Sequence, residues 1–146
     1  MNEIMEKEVI NIENMIYEIN GVEVMLDSDL AKLYQCANGT KDINKAVKRN
    51  LTRFPEDFCF QITTKEKNEL RFQSGTTNRM SRVLPHVFTE EGVAMLASIL
   101  HTDIAKEVSV VIMRAFVAMR HYIGNNEYRL SNAPSKAIYN NTFHDR

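Results

Sequence analysis

The 146 residues include only two cysteines, three prolines and five glycines, so the types that staple, stop or loosen a backbone are scarce. Cys36 and Cys59 stand in apolar surroundings with no CxxC spacing, which argues against a disulfide framework and for two buried thiols in a reducing cytosol. Scarce glycine and proline exclude collagen-like and low-complexity classes. An export signal is also missing: the opening MNEIMEKEV is acidic and has no apolar secretory core. The longest apolar run, around Val108 to Met119, is interrupted by Arg114 and is too short to span a bilayer. The expected location is the cytoplasm.

Catalytic and metal-binding patterns are equally lacking. His86, His101, His121 and His144 have no ligand spacing and no nearby cysteine or acid cluster, so no zinc site and no other metal site is expected. Ser28 and Ser74 have no associated histidine, and no Gly-rich loop forms a phosphate cradle. Glu90 and Glu91 follow Thr89 at the start of a helix, where carboxylates favour the positive end of the dipole, and this suffices to explain them. No nucleophilic or acid–base constellation remains, so the chain reads as a non-enzyme without a cofactor.

Positive charge is present but hidden in the total. The formal net charge is −1, yet residues 1–30 hold eight acids and one base, and residues 31–86 hold eleven bases and five acids. The middle of the chain therefore carries +6 (11 − 5), while residues 87–146 balance at six each. Such asymmetry says more about partners than the sum does. With 44% hydrophobic and 25% charged residues, the composition is that of one globular domain with a real core.

The basic residues concentrate in Thr40 to Phe54, TKDINKAVKRNLTRF. At about 100° per residue, Ile43, Ala46, Val47, Leu51 and Phe54 share one helical face. Lys41, Lys45, Lys48, Arg49 and Thr52 share the other, with Arg53 at its edge. Helical surfaces usually mix signs to gain i,i+4 pairs, and here only Asp42 opposes five bases. The like-charge spacings Lys41–Lys45, Lys45–Arg49 and Arg49–Arg53 each cost a few tenths of a kcal/mol, which points to a function that uses them. The repeating anion that fits a basic helical stripe is nucleic-acid phosphate.

Upstream, Ser28 to Cys36 forms a short amphipathic run, joined to the basic helix by Ala37-Asn38-Gly39. This is the layout of a helix-turn-helix reader. Thr40, Lys41, Asn44 and Lys45 lie at the end that enters the major groove, where Asn44 suits adenine and Lys45 guanine. Lys48, Arg49 and Arg53 fall where phosphates are met. Asn50 lies on the apolar side and is expected to bond backbone. Arg71, Arg79 and Arg82 bracket or occupy the loop SGTTNRMSR and form a secondary candidate, an arm reaching the DNA backbone or minor groove.

The remaining pattern is mixed. Asn20-Gly21 between two β-prone runs predicts a type I′ hairpin over Met15 to Leu26. Asp27 or Ser28 is expected to cap the first helix, Pro55 to end the basic one, and Phe58 to Ile62 to add a strand beside the hairpin. Thr63 with Glu66 predicts a capping box for a helix through about Phe72, and Val83 to Phe88 is expected to be extended. Thr89 caps a helix to about Leu100, and Thr102 or Asp103 caps a long one to about Ile123, stopped by Gly124-Asn125. The expected fold class is α+β, a helix-rich single domain with a helix-turn-helix-like unit and a small antiparallel sheet. Residues 1–14 read as an N-terminal extension, 15–124 as the domain, and 125–146 as a polar tail.

Four blocks, LDSDLAKLY, AVKRNLTRFPEDFCFQIT, LPHVFTEEGVAMLASIL and IMRAFVAMR, closely resemble the phage-type ORF-six N-terminal domain, a relative of the KilA-N domain. The resemblance runs from about Ile19 to Arg120. It implies a sequence-specific double-stranded DNA-binding module at the head of antirepressor-like phage or prophage regulators, with LDSDLAKLY as supporting helix and AVKRN as DNA-facing helix. Two departures are visible: the linker Gln35 to Lys41 is longer than the family's commoner short turn, and the usual C-terminal effector region is missing or removed. The alternative function is a protein–protein module that sequesters a repressor or host factor, presenting Met113, Phe116 and Met119 of the 104–123 helix. Homodimerisation through that helix is compatible with either.

Overall fold

The computed structural model describes residues 8–9, 11–74 and 83–125. Its elements, in chain order, are β1 (Ile16–Ile19), β2 (Val22–Leu26), α1 (Asp27–Leu33), α2 (Thr40–Arg49), a 3-10 turn (Leu51–Arg53), β3 (Cys59–Gln61), α3 (Thr64–Ser74), β4 (His86–Phe88), α4 (Glu90–Leu100) and α5 (Asp103–Asn125). A helix-rich α+β domain with a small antiparallel sheet is the result.

The hairpin forms where Asn20 (φ 52°) and Gly21 (φ 81°) supply the two positive φ angles of a type I′ turn. Its strands pair Ile16 with Met25 and Ile19 with Val22. The capping box is reciprocal: the Glu66 N–H donates to Thr63 Oγ1 at 3.1 Å, and the Thr63 N–H donates to Glu66 Oε1 at 2.9 Å. Thr89 and Thr102 likewise accept from the Gly92 and Ala105 N–H groups at 3.2 and 3.0 Å, starting α4 and α5. α5 continues past the expected stop, through Gly124 and Asn125.

One expectation fails in the sheet. The strand over Cys59–Gln61 does not lie beside the hairpin, because the order is β1-β2-β4-β3. β4, expected only to be extended, enters between them: Phe88 pairs with Met25 on one side and with Cys59 on the other. Its N–H and C=O groups thereby satisfy both neighbours, which a β3–β2 pairing would have left to other partners.

Alternation along the strands sends side chains to two faces. Ile16, Met25, Cys59 and Phe88 join Leu30, Ile43, Leu96, Ile112 and Phe116 in the main core under α1, α2, α4 and α5. Ile19, Val24, Leu26, Ile62 and Val87 form a smaller core with Leu70 of α3 on the other face. Both faces are covered, so β2 reads VEVML, with buried apolar residues in succession. Val9 and Ile12, in the helical residues before the hairpin, also belong to the main core.

Candidate nucleic-acid interface

α1 ends in a tight backbone exchange: the Cys36 N–H donates to Ala31 C=O (3.0 Å) and the Gln35 N–H donates to Lys32 C=O (3.1 Å), with Gln35 at φ 54°. This pair of bonds is a Schellman motif, and it satisfies two carbonyls that a helix end leaves orphaned. The Gly39 N–H then donates to Cys36 C=O at 3.1 Å, and α2 begins at Thr40. Asn38 closes the turn onto α2, donating its N–H and its side-chain amide to the Asp42 carboxylate at 3.0 and 3.2 Å. Those bonds hold the Asp42 carboxyl below its ordinary range, with the Lys45 charge adding to the effect.

The underside of α2 is fixed by Ile43, which is fully buried, and by Ala46 and Val47 packed against the main core. Lys41, Lys45, Lys48 and Arg49 are exposed on the outside, while Thr40 and Asn44 are half-buried. Among the described residues, none of these cations has a carboxylate within 4 Å. The ridge is outward and helical, with Asp42 near enough to feel the Lys45 charge.

The helix stops sooner than its periodicity predicts. Asn50 leaves helical geometry (φ −129°, ψ 39°), and Leu51–Arg53 follow as a 3-10 turn. Asn50 bonds backbone as expected, donating its side-chain amide to Ala46 C=O at 2.9 Å. The break corrects two expectations. Leu51, assigned to the buried face, is 66% exposed, and Arg53 is exposed on the 3-10 turn instead of continuing α2. Phe54 still reaches the core, with its ring edge-on to Phe88 at 6.1 Å.

His86 and Asp27 are joined by a contact that sequence reading did not foresee. Asp27 or Ser28 was expected to cap α1; instead Leu26 occupies the cap position without a side-chain cap bond, and Asp27, 4% exposed, accepts from the His86 N–H at 3.1 Å. Burial pushes its carboxyl above the ordinary carboxylate range, against the pull of the His86 and Ser28 backbone N–H groups. No local signal could have announced this, since His86 is 59 residues away.

Other expected participants are placed less fully. Arg71 falls in the last turns of α3, and its side chain lies outside the described residues, as do Arg79, Arg82 and residues 126–146. Phe116 (1% exposed) and Met119 (7%) are core residues of α5, not a presented surface. Glu90, explained above by its helix start, also receives a two-pronged hydrogen bond from Arg120 of α5. Among the described residues, no group of three His, Cys, Asp or Glu residues could hold a metal ion, and no helix is long and apolar enough to cross a membrane.

The fold and ridge define a small α+β domain that displays an outward basic helix on a buried scaffold. The family model described as "ORF6N domain" matches residues 14–99, and the chain belongs to that phage-type family. The matched span covers both helices of the interface and the whole sheet, and it ends before α5. No curated protein and no solved structure matches the chain.

Proposed function

We propose that this domain binds double-stranded DNA sequence-specifically, as the regulatory, antirepressor-like head of a phage or prophage protein acting in the cytoplasm. The observation that carries the reading is the row Lys41, Lys45, Lys48, Arg49 and Arg53, exposed and without carboxylate partners at 4 Å among the described residues. Single-sign charge on a rigid helix matches the regular spacing of phosphates, and family membership fits the same role. α1, the turn and α2 act together as a helix-turn-helix. The first turns of α2 enter the major groove with Thr40, Lys41, Asn44 and Lys45 toward base edges. Lys48, Arg49 and Arg53 grip phosphates and fix the register, and Arg71, Arg79 and Arg82 supply an accessory arm. The domain performs no catalysis.

Binding to a duplex at a series of salt concentrations tests this reading. Neutralising about five to seven phosphates gives a log–log salt slope of about −5 to −6. The double reversal K48E/R49E abolishes retention while the far-UV spectrum and melting temperature persist, because both side chains are exposed. Unchanged affinity in that variant removes the face from consideration. The rival reading, an apolar partner seated on α5, loses support from the burial of Phe116 and Met119, and it would respond only weakly to ionic strength.

A further inference from the structure

α5 has two sides of different character. Ile112, Ala115, Phe116 and Met119 are buried in the main core, out of reach of any partner. On the opposite side, Val110 and Val117 are 48% and 40% exposed. Seven positions apart, they lie nearly in line along the helix, with Met113 beside them. Val9, Met113, Arg114, Val117 and Ala118 line an open groove of ≈ 460 Å³ along the same side. Single exposed valines are ordinary surface, but an apolar stripe with a groove beside it is a contact face.

The charges on the stripe choose its occupant. Glu107 and Arg114 are both exposed and stand on one edge of it, a turn before and a turn after Val110. Two such helices laid antiparallel about a two-fold axis at Val110 bring that same edge of each copy together. Glu107 of each copy then faces Arg114 of the other, twice over. A parallel pair would set Arg114 against the apolar Met113 of the other copy. Arg114 also interacts within its own chain, and five N–H donors let a guanidinium serve more than one acceptor.

We propose that this outer face of α5 is where two copies of the chain pair, antiparallel, with Val110 at the axis and the groove receiving the first turns of the other copy's α5. The homodimer that the 104–123 helix allowed thus uses the side that meets solvent, not Phe116 and Met119. The stripe from Glu107 to Val117 is about 15 Å long, short for a standard interface, so the expected dissociation constant is about 1–100 µM. The pairing does not rest on the DNA-binding reading. Under that reading, the same axis fixes the separation of two basic helices and hence of two half-sites.

Sedimentation equilibrium of the full chain tests the pairing. The wild type passes from monomer to dimer in the micromolar range, and V110E/V117E stays monomeric with an unchanged melting temperature measured on dilute protein. E107R and R114E each weaken the dimer by about three- to tenfold, because a two-fold interface meets each reversal twice, and E107R/R114E restores it to within about twofold. A wild type that is monomeric at about 1 mM overturns the proposal, and so does a dimer that V110E/V117E leaves intact. A large melting loss in dilute V110E/V117E shows the stripe covered by its own chain and overturns it too. A dimer that both single reversals weaken and the double reversal fails to restore overturns the antiparallel arrangement.

Discussion

The hydroxyls of Tyr34 and Ser109 lie 2.9 Å apart in the interior, joining the end of α1 to the second turn of α5 across 75 residues. Both residues are buried, so each hydroxyl depends on the other for its hydrogen bond. Y34F removes the bond and leaves Ser109 unsatisfied, at a cost of about 1–2 kcal/mol. Y34F/S109A costs less than the sum of the single substitutions, because no orphan remains. Chemical denaturation of the four proteins checks it, and strict additivity would mean that the bond contributes nothing.

The same burial predicts an alkaline limit. Desolvation pushes the Tyr34 hydroxyl from 10.0 up to about 12 and the Cys59 thiol from 9.0 up to about 12. Both folded values lie above the unfolded ones, so this contribution is whole below pH 9 and is lost as pH rises from about 9 toward 12. Melting temperature should therefore fall across that window. In Y34F the part of the fall above pH 10 becomes shallower. A melting curve flat to pH 12 contradicts both assignments.

Gly92 has no room for a side chain. A Cβ built there overlaps the Phe58 carbonyl, because α4 starts hard against the β3 approach: the Thr89 N–H donates to Phe58 C=O at 3.0 Å and Thr89 Oγ1 donates to Asp57 C=O at 2.8 Å. The obstacle is backbone and cannot rotate away. G92A should cost about 1–3 kcal/mol or more, as overpacking does, and should shift the denaturation midpoint with the slope unchanged. A midpoint within error of wild type would show that the approach is looser than described.

Leu51 and Ile43 look equivalent on a helical wheel and should behave as opposites. I43A empties a fully buried site and costs about 2–5 kcal/mol. L51A sits on an exposed 3-10 turn and should stay within about 0.5 kcal/mol. Equal losses at the two positions would mean that the helix continues through Asn50 after all.

The hairpin, the caps at Thr63, Thr89 and Thr102 and the amphipathic face of α2 were legible in the sequence, because each is decided within a few residues. A turn needs two tolerant φ angles, a cap needs one oxygen near one N–H, and a stripe needs only its period. The basic ridge was legible for the same reason: charge spaced along one helix stays on one face wherever the helix is placed.

What the sequence by itself determined, then, is the set of elements and the side of α2 that meets solvent. Tertiary structure alone decided the insertion of β4 between β2 and β3, the end of α2 at Asn50 and the exposure of Leu51. It alone also brought His86 to Asp27. The reason is range: strand order and buried polar partnerships are chosen by competition among groups tens of residues apart. Each buried N–H, C=O or carboxylate takes whichever partner the packed layers bring within bonding distance.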